Sequence, residues 1–266
     1  MVKFSLRSLF GGAPKAQADI HYIEIDETTS TNDYLKSLLA TLDGVQQEPR
    51  LTVAYADYQT AGRGQRGTVW ESAPGENLLF GIVFRPTFLP AAQQFHLSEA
   101  LALAVADAVS PYAEGISVKW PNDLYWHDRK LAGMLLEHTL RGSRIAHTLA
   151  GVGLNVNQRE FVGDAPNPVS LRQVVGHDVP RAALLENILQ HFEANYFMLQ
   201  RGGASQLHAR YMQCLYRREG WHAYRDGNGP FTARIAGISP QGVLTLERPD
   251  GQTNGYAFKE VSFLQV

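Results

Sequence analysis

The chain has 266 residues, a formal net charge of −2, 44% hydrophobic and 19% charged residues, and one cysteine. Such a chain can bury a sizeable core in one large domain, or in a large and a small one, and its composition excludes disordered, collagen-like and coiled-coil classes. Without a cationic excess, nucleic acid is not the expected partner. Cys214 alone forms neither an intramolecular disulfide nor a cysteine-rich metal site, which indicates a reducing compartment.

Membrane and targeting segments are not evident. No apolar run approaches the roughly 18 residues of a membrane span, so we expect a soluble, cytoplasmic protein. Residues 1–18 contain three basic residues and no acidic one, and they lack the apolar region of a secretory signal. We expect residues 1–18 to be a flexible leader, with an organellar transit peptide as the alternative.

Strands and helices are predicted in turn up to residue 215. Ser30 to Asp33 offer helix N-caps before apolar residues at helical spacing, and the apolar run from residue 77 suits a strand covered on both faces. The predicted helices cover residues 30–42, 98–109 and 181–199. The predicted strands cover residues 20–25, 51–58, 77–84, 116–120, 130–138 and 144–153.

The sequence pattern changes near residue 216. Short apolar runs then alternate with the turn sequences at residues 226–229, 239–242 and 249–252. About five short strands in about fifty residues predict a small antiparallel barrel.

A loop rich in glycine and arginine, Gly62-Arg63-Gly64-Gln65-Arg66-Gly67, matches the G-x-G-x-x-G pattern of dinucleotide-binding folds. Such a fold requires a helix directly after the loop and an acidic residue about 20 positions later, and neither is present here. The loop suits an anion instead, because glycine backbone approaches it closely and arginine adds charge-assisted hydrogen bonds. An exposed loop whose arginines only solubilise it is the alternative.

A second segment predicts a strand, a turn and a strand over residues 119–133. It brings together Lys119, Asp123, Arg129 and Lys130. In this arrangement a lysine and a carboxylate can converge on a reacting phosphate. A purely structural turn explains the Pro-Asn-Asp sequence equally well.

Five motifs in order resemble those of biotin–protein ligases, and the resemblance extends over residues 20–266. The motifs are Ser30-Thr31-Asn32, Tyr58-Gln59 with the loop and Trp70, Lys119-Trp120-Pro121-Asn122-Asp123, Lys130-Leu131-Ala132-Gly133, and Gly151-Val152-Gly153-Leu154-Asn155-Val156-Asn157. The resemblance implies an α+β fold: a catalytic domain like that of class II aminoacyl-tRNA synthetases, with a mixed sheet flanked by helices, and a small SH3-like C-terminal β-barrel. The expected domains are residues 19–215 and 216–266.

The activity implied is a two-step ligation that uses ATP. The biotin carboxylate attacks the α-phosphorus of ATP to give biotinyl-5′-adenylate and pyrophosphate, and biotin then passes to one lysine of a biotin carboxyl carrier protein. Mg²⁺ is implied as the ATP counter-ion, held through phosphates and water rather than by a protein cage. A monomer and a homodimer both remain open.

Carried over by position, the resemblance implies three groups of site residues. Those for biotin are Ser30, Thr31, Asn32, Gln59, Gly62, Arg63, Gly64, Gln65, Lys130 and Gly133. Those for ATP are Arg63, Arg66, Trp70 on adenine, Asn122, Lys130, and Asn155 on the purine side. Those for catalysis are Lys130 at the carboxylate and phosphate, Asp123 as its acidic partner, and Arg63.

The chain departs from the fuller family pattern in two places. Gln65 and Thr68 stand where well-known members carry basic residues, which leads to the hypothesis that the adenylate is held less tightly. Only about nineteen residues precede the first predicted strand, too few for the winged helix-turn-helix of the bifunctional repressors. We therefore expect the monofunctional type, with no DNA binding.

Two alternative functions would use the same predicted pocket. A lipoate–protein ligase shares the chemistry, but its loop is typically richer in consecutive glycines and lacks the Lys-Trp-Pro-Asn-Asp turn. A non-catalytic binding module would not need the cations Arg63, Arg66 and Lys130 beside Asp123. No H-E-x-x-H pair supports a zinc hydrolase.

Overall fold

The computed structural model describes residues 20–42, 50–64, 69–163 and 165–264. The predicted leader and loop residues Gln65 to Thr68 lie outside these ranges. No helix within the ranges is long and apolar enough to span a membrane.

A seven-stranded sheet forms the centre of the molecule, in the order β1-β2-β3-β7-β6-β5-β4. The sheet is mixed because β1 and β2 run parallel whereas the other neighbours are antiparallel. Its strands are β1 Ile20–Thr28, β2 Leu51–Gln59, β3 Leu78–Phe84, β4 Ile116–Lys119, β5 Asp123–Trp126, β6 Arg129–Arg141 and β7 Arg144–Leu154.

Helices cover both faces of this sheet. On one face, α1 (Thr31–Leu42) packs Leu35 among Ile23, Val83 and Leu149. The helices of the large core on the opposite face are α2 Phe95–Val109, α4 Arg181–Gln200 and α5 Ala204–Gln213. A short helix, α3 Leu171–Val175, begins with a capping box at Ser170.

Alternation along β3 shows why this strand is apolar throughout. Phe80 and Ile82 point into the large core, whereas Val83 joins the cluster under α1. All seven residues of β3 are buried, as expected of a strand covered on both faces.

The C-terminal part forms a five-stranded antiparallel sheet in the order β11-β10-β9-β8-β12. Its strands are β8 His222–Asp226, β9 Gly229–Ile238, β10 Leu244–Glu247, β11 Thr253–Tyr256 and β12 Ser262–Phe263. Among the described residues no pairing joins its two end strands, so the closed barrel is not confirmed. The Trp120 indole donates a hydrogen bond of 3.0 Å to the Gly242 carbonyl and so ties this sheet to the first.

Every predicted strand and helix is present, with ends shifted by a few residues. The absence of a helix after the glycine-arginine loop is confirmed over residues 69–77. Four elements were not predicted, namely β5, α3, α5 and a short 3-10 helix at Ala91–Gln93. Residues 123–126 form the strand β5, so Asp123 begins a strand rather than ending a turn.

Candidate functional site

A cavity of about 1030 Å³ brings most of the predicted site residues together. Its walls come from the start of α1, the end of β2, strands β5, β6 and β7, the segment after β7, and residues 259–263 of the C-terminal sheet. Motifs that are far apart in sequence therefore share one concave cavity, which is the usual setting of a small-molecule site.

Four glycines on the α1 side of the sheet make what we call the glycine floor: Gly81, Gly133, Gly151 and Gly153. Gly81 pairs with Gly151 across β3 and β7, and Gly133 pairs with Gly153 across β6 and β7. A Cβ at Gly151 would overlap the Asn32 amide, and a Cβ at Gly153 would lie 2.5 Å from the Trp70 ring. The missing side chains allow polar and aromatic groups to lie directly on the sheet.

At one side of the floor, which we call the helix end, lie the side chains of Ser30, Thr31, Asn32 and Gln59. The backbone N–H and the hydroxyl of Thr31 donate to Gln59 Oε1 at 2.7 and 3.0 Å. Ser30, Thr31 and Asn32 are buried, and the Ser30 carbonyl accepts the first helical bond of α1 from Tyr34. Helix geometry and packing thus fix these side chains before any ligand binds.

Asn32 leaves one hydrogen-bonding atom unused at this end. Its Nδ2 donates to Glu137 at 3.4 Å, whereas Oδ1 is buried without a partner among the described residues. An unsatisfied buried acceptor costs about 1–3 kcal/mol. The helix end therefore suits a ligand that carries an N–H donor.

At the other side, which we call the loop end, Trp70 lies across Gly133 and Gly153. A Cβ at Gly133 would lie 3.0 Å from the Trp70 ring, and Lys130 Nζ lies 5.7 Å from the ring centroid. The Trp70 backbone N–H donates to the Gly62 carbonyl at 2.9 Å. Trp70 is thus held beside Lys130, which is consistent with a role in packing against a flat base.

Two ion pairs flank the loop end. Lys130 Nζ lies 2.8 Å from Asp123, and the two side chains are 26% and 22% exposed. Arg63 lies 2.5 Å from Asp33, and these side chains are each 42% exposed. Two of the cations predicted for the reacting carboxylate and phosphate, Lys130 and Arg63, therefore have acidic partners.

Lys119 also lines the cavity, against aromatic side chains. Its Nζ donates to the Tyr125 hydroxyl at 2.9 Å and lies 5.4 Å from the Phe263 ring centroid. Burial lowers the pKa of Lys119, and the Asp123 carboxylate opposes that shift. Lys119 thus connects β4 with the C-terminal sheet.

The two predicted asparagines are held by backbone contacts. Asn122 donates to the Met134 carbonyl, and Asn155 Nδ2 donates to the Val169 carbonyl at 3.1 Å. The Asn155 Oδ1 atom is buried without a partner among the described residues. Asn155 can therefore still accept a hydrogen bond from a ligand.

Twelve predicted residues line the cavity: Ser30, Thr31, Asn32, Gln59, Arg63, Gly64, Trp70, Asn122, Asp123, Lys130, Gly133 and Asn155. Gly62 instead lies behind it, where a Cβ would come 2.9 Å from the Trp70 carbonyl and 3.1 Å from Gln59 Nε2. Gln65 and Arg66 lie outside the described residues.

Sequence reasoning gave no role to Gly81, Gly153 or Glu71. Glycine inside a strand is a signal for close approach by another group, and this signal could have found the floor. Within the described ranges, no group of three or more His, Cys, Asp or Glu side chains could hold a metal ion.

Comparison with known proteins agrees with the fold and the motifs. Residues 23–155, half of the chain, match the biotin/lipoate A/B protein ligase family. The chain is 31% identical to the bifunctional ligase/repressor BirA of Bacillus subtilis over 220 residues, which are 76% of this chain but only 63% of that protein. It is also 31% identical to the biotin–[acetyl-CoA-carboxylase] ligase of Paracoccus denitrificans, over 73% of this chain and 83% of that protein.

A solved structure has the same fold. The biotin protein ligase of Aquifex aeolicus, in complex with biotin and ATP, superposes with a TM-score of 0.73 at 25% identity. The superposition covers 94% of this chain and 100% of that one. Taken with the five motifs and the single cavity that collects them, these similarities show that the chain belongs to the biotin–protein ligase family.

Proposed function

We propose that the protein is an ATP-dependent biotin–protein ligase that forms biotinyl-5′-adenylate and transfers biotin to one lysine of a biotin carboxyl carrier protein. The observation that carries this proposal is the shared cavity. It places the buried polar helix end beside the Lys130–Asp123 pair and Trp70. An acid and a nucleotide bound at the two ends would meet over the glycine floor.

Biotin is the acid that fits the helix end best. Its ureido ring carries N–H donors for the unpartnered Asn32 Oδ1, and the Thr31–Gln59 network supplies further polar groups. The dithiolane ring of lipoate has no N–H and would leave Oδ1 unsatisfied. A site built for hydrogen bonding rejects analogues that lack the partner group.

In the first step an oxygen of the biotin carboxylate forms a bond to the α-phosphorus of ATP, and the bond from that phosphorus to the β-phosphate oxygen breaks, releasing pyrophosphate. Both reactants are anions, so the step needs fixed positive charge. We assign this charge to Lys130 and to Arg63 and Arg66 of the loop. Trp70 would pack on adenine, and Asn155 Oδ1 would accept from its amino group.

In the second step the ε-amine of the acceptor lysine attacks the acyl carbon, AMP leaves, and the amine loses a proton. Asp123 lies in the cavity wall as the carboxylate partner of Lys130. It would hold Lys130 in place while the adenylate forms. Mg²⁺ would enter as MgATP and be held through phosphates and water.

We further infer the organisation that the motifs imply. Residues 19–215 would form the catalytic domain and residues 216–266 an SH3-like domain whose last strand reaches the cavity through Phe263. The protein would be cytoplasmic, and a monomer or a homodimer.

Biotin-dependent release of pyrophosphate from ATP tests the proposal, with lipoate as the parallel acid. A carrier domain is then added in a second stage, and biotin on its lysine is detected by mass spectrometry. We expect release and transfer with biotin alone. Release with lipoate alone would make the protein a lipoate ligase, and release with neither acid would leave a binding module.

A further inference from the structure

Glu71 is a charged side chain in the cavity wall that the proposed chemistry does not use. A free carboxylate there would repel the ATP phosphates. The structure instead surrounds it with hydrogen-bond donors. Its Oε1 accepts from the Val162 N–H at 2.9 Å and from Gln158 Nε2 at 3.3 Å, and its Oε2 accepts from the Gly163 N–H at 2.9 Å.

These bonds join two segments that are distant in sequence. Glu71 directly follows Trp70, whereas Gln158 to Gly163 follow β7 and contribute Phe161 and Gly163 to the cavity wall. Hydrogen bonds to a charged group contribute more to stability than those between neutral groups. One side chain thus ties the residue after Trp70 to the opposite wall.

Gln158 also links the residue 158–163 segment to the rest of the protein. It is buried, with 2% of its surface exposed, and its Oε1 accepts from Asn77 Nδ2 and from the Ala73 N–H at 2.5 and 3.0 Å. Its carbonyl accepts from the Ser170 hydroxyl at 2.6 Å. The segment is therefore fixed in the protein on one side and bound to Glu71 on the other.

Gly163 is matched to this carboxylate. A Cβ at Gly163 would lie 2.7 Å from Glu71 Oε2, closer than van der Waals contact allows. A side chain there would force the Glu71 carboxylate to shift from this position. Glycine therefore permits the close approach of Glu71 to the backbone seen here.

We propose that Glu71 is a positioning residue that clamps the Trp70 segment to residues 158–163 and so forms the nucleotide side of the cavity. Trp70 is then held from two directions. Its backbone N–H donates to the Gly62 carbonyl, and the neighbouring Glu71 carboxylate accepts from the backbone N–H groups of Val162 and Gly163. This inference rests on the proposed function, because it assigns the loop end to ATP.

Steady-state kinetics of pyrophosphate release by Glu71→Ala test the clamp. We expect the KM for ATP to rise about ten-fold while the KM for biotin and kcat stay within about two-fold. Glu71→Gln keeps one acceptor oxygen and should recover part of the loss. Glu114→Ala removes the same charge at an exposed position outside the cavity wall and should match the wild type.

Hydrogen exchange gives a readout that does not depend on catalysis. The amides of Val162 and Gly163 should exchange faster in Glu71→Ala and in Gly163→Ala than in the wild type or Glu114→Ala. An unchanged KM for ATP, equal increases in both KM values, or unchanged exchange would each overturn the clamp. If the wild type releases no pyrophosphate, the proposed function fails, while exchange still tests whether Glu71 holds the segment.

Discussion

At the helix end three of the four polar side chains are buried and Thr31 is hydrogen-bonded to Gln59. At the loop end the charged side chains are partly exposed and held in ion pairs. Thr31 and Gln59 need no rearrangement to present their groups. Arg63 and Lys130 must exchange carboxylate partners for ligand oxygens if they are to act on phosphate. A preformed site loses little free energy to reorganisation, so the two ends should respond differently to substitution.

Lys130→Ala should give the largest effect. The lysine lies at the junction of the two ends, where negative charge is brought together, and its loss should slow adenylation by at least about a hundred-fold. Because its side chain is partly exposed, the variant should keep its fold and melting temperature. Lys36→Ala, at an exposed position of α1, is the control. Near-normal turnover of Lys130→Ala would remove this lysine from the chemistry.

Gly151→Ala should damage the helix end selectively. The added methyl group would overlap the Asn32 amide, and such overpacking typically costs 1–3 kcal/mol. We expect the KM for biotin to rise about 30-fold, with a much smaller change for ATP. Gly237→Ala adds the same group where nothing lies within 4 Å and should be neutral. An unaltered response to biotin would show that Asn32 does not bind it.

Trp70→Ala should damage the loop end selectively. The variant loses a flat partner for adenine, so the KM for ATP should rise about ten-fold, and Trp70→Phe should recover part of this loss. Trp221→Ala, at the residue before β8 and outside the cavity wall, is the control for removal of an indole. An effect on biotin without one on ATP would place Trp70 in the acid site.

Gln65→Arg should increase the affinity of the loop end for the adenylate, because it adds a positive charge to the glycine-arginine loop. An added guanidinium near the adenylate phosphate should slow its dissociation about five-fold. The off-rate of biotinyl-5′-adenylate, followed after a chase with unlabelled ligand, measures this directly. Gln65→Lys separates the contribution of charge from that of the forked guanidinium, and an unchanged off-rate in both variants would reject the hypothesis.

His138 should make the smallest contribution, through the stability of the strand that carries Glu137. Burial lowers the pKa of His138 from 6.5 to about 4, and its ring contacts the Thr148 hydroxyl at 2.9 Å. Between pH 6.5 and about 4 the unfolded state binds a proton at this histidine that the folded state does not. The free energy of unfolding should therefore fall as the pH is lowered through this window, and it should be fully retained above pH 6.5. Denaturant melts of His138→Gln should show a flatter dependence, and equal slopes would contradict the assignment.

The sequence predicted the strands and the main helices because their apolar patterns are local. It did not predict β5, whose four residues follow the Trp-Pro-Asn turn, or the short helix α3. The pairing of Arg63 with Asp33 and the contacts of Glu71 with Val162 and Gly163 were also missed. These contacts join segments about 30 and 90 residues apart, and no local pattern encodes such distances. The motif resemblance identified most of the cavity wall, while the glycine floor required the sheet register.

The most direct test of the two-ended site measures pyrophosphate release by the wild type, Gly151→Ala and Trp70→Ala. The concentrations of biotin and of ATP are varied separately for each protein. The account predicts a KM increase for biotin alone in Gly151→Ala and for ATP alone in Trp70→Ala. Equal increases for both substrates in both variants would contradict it, because the cavity would then lack separate acid and nucleotide ends.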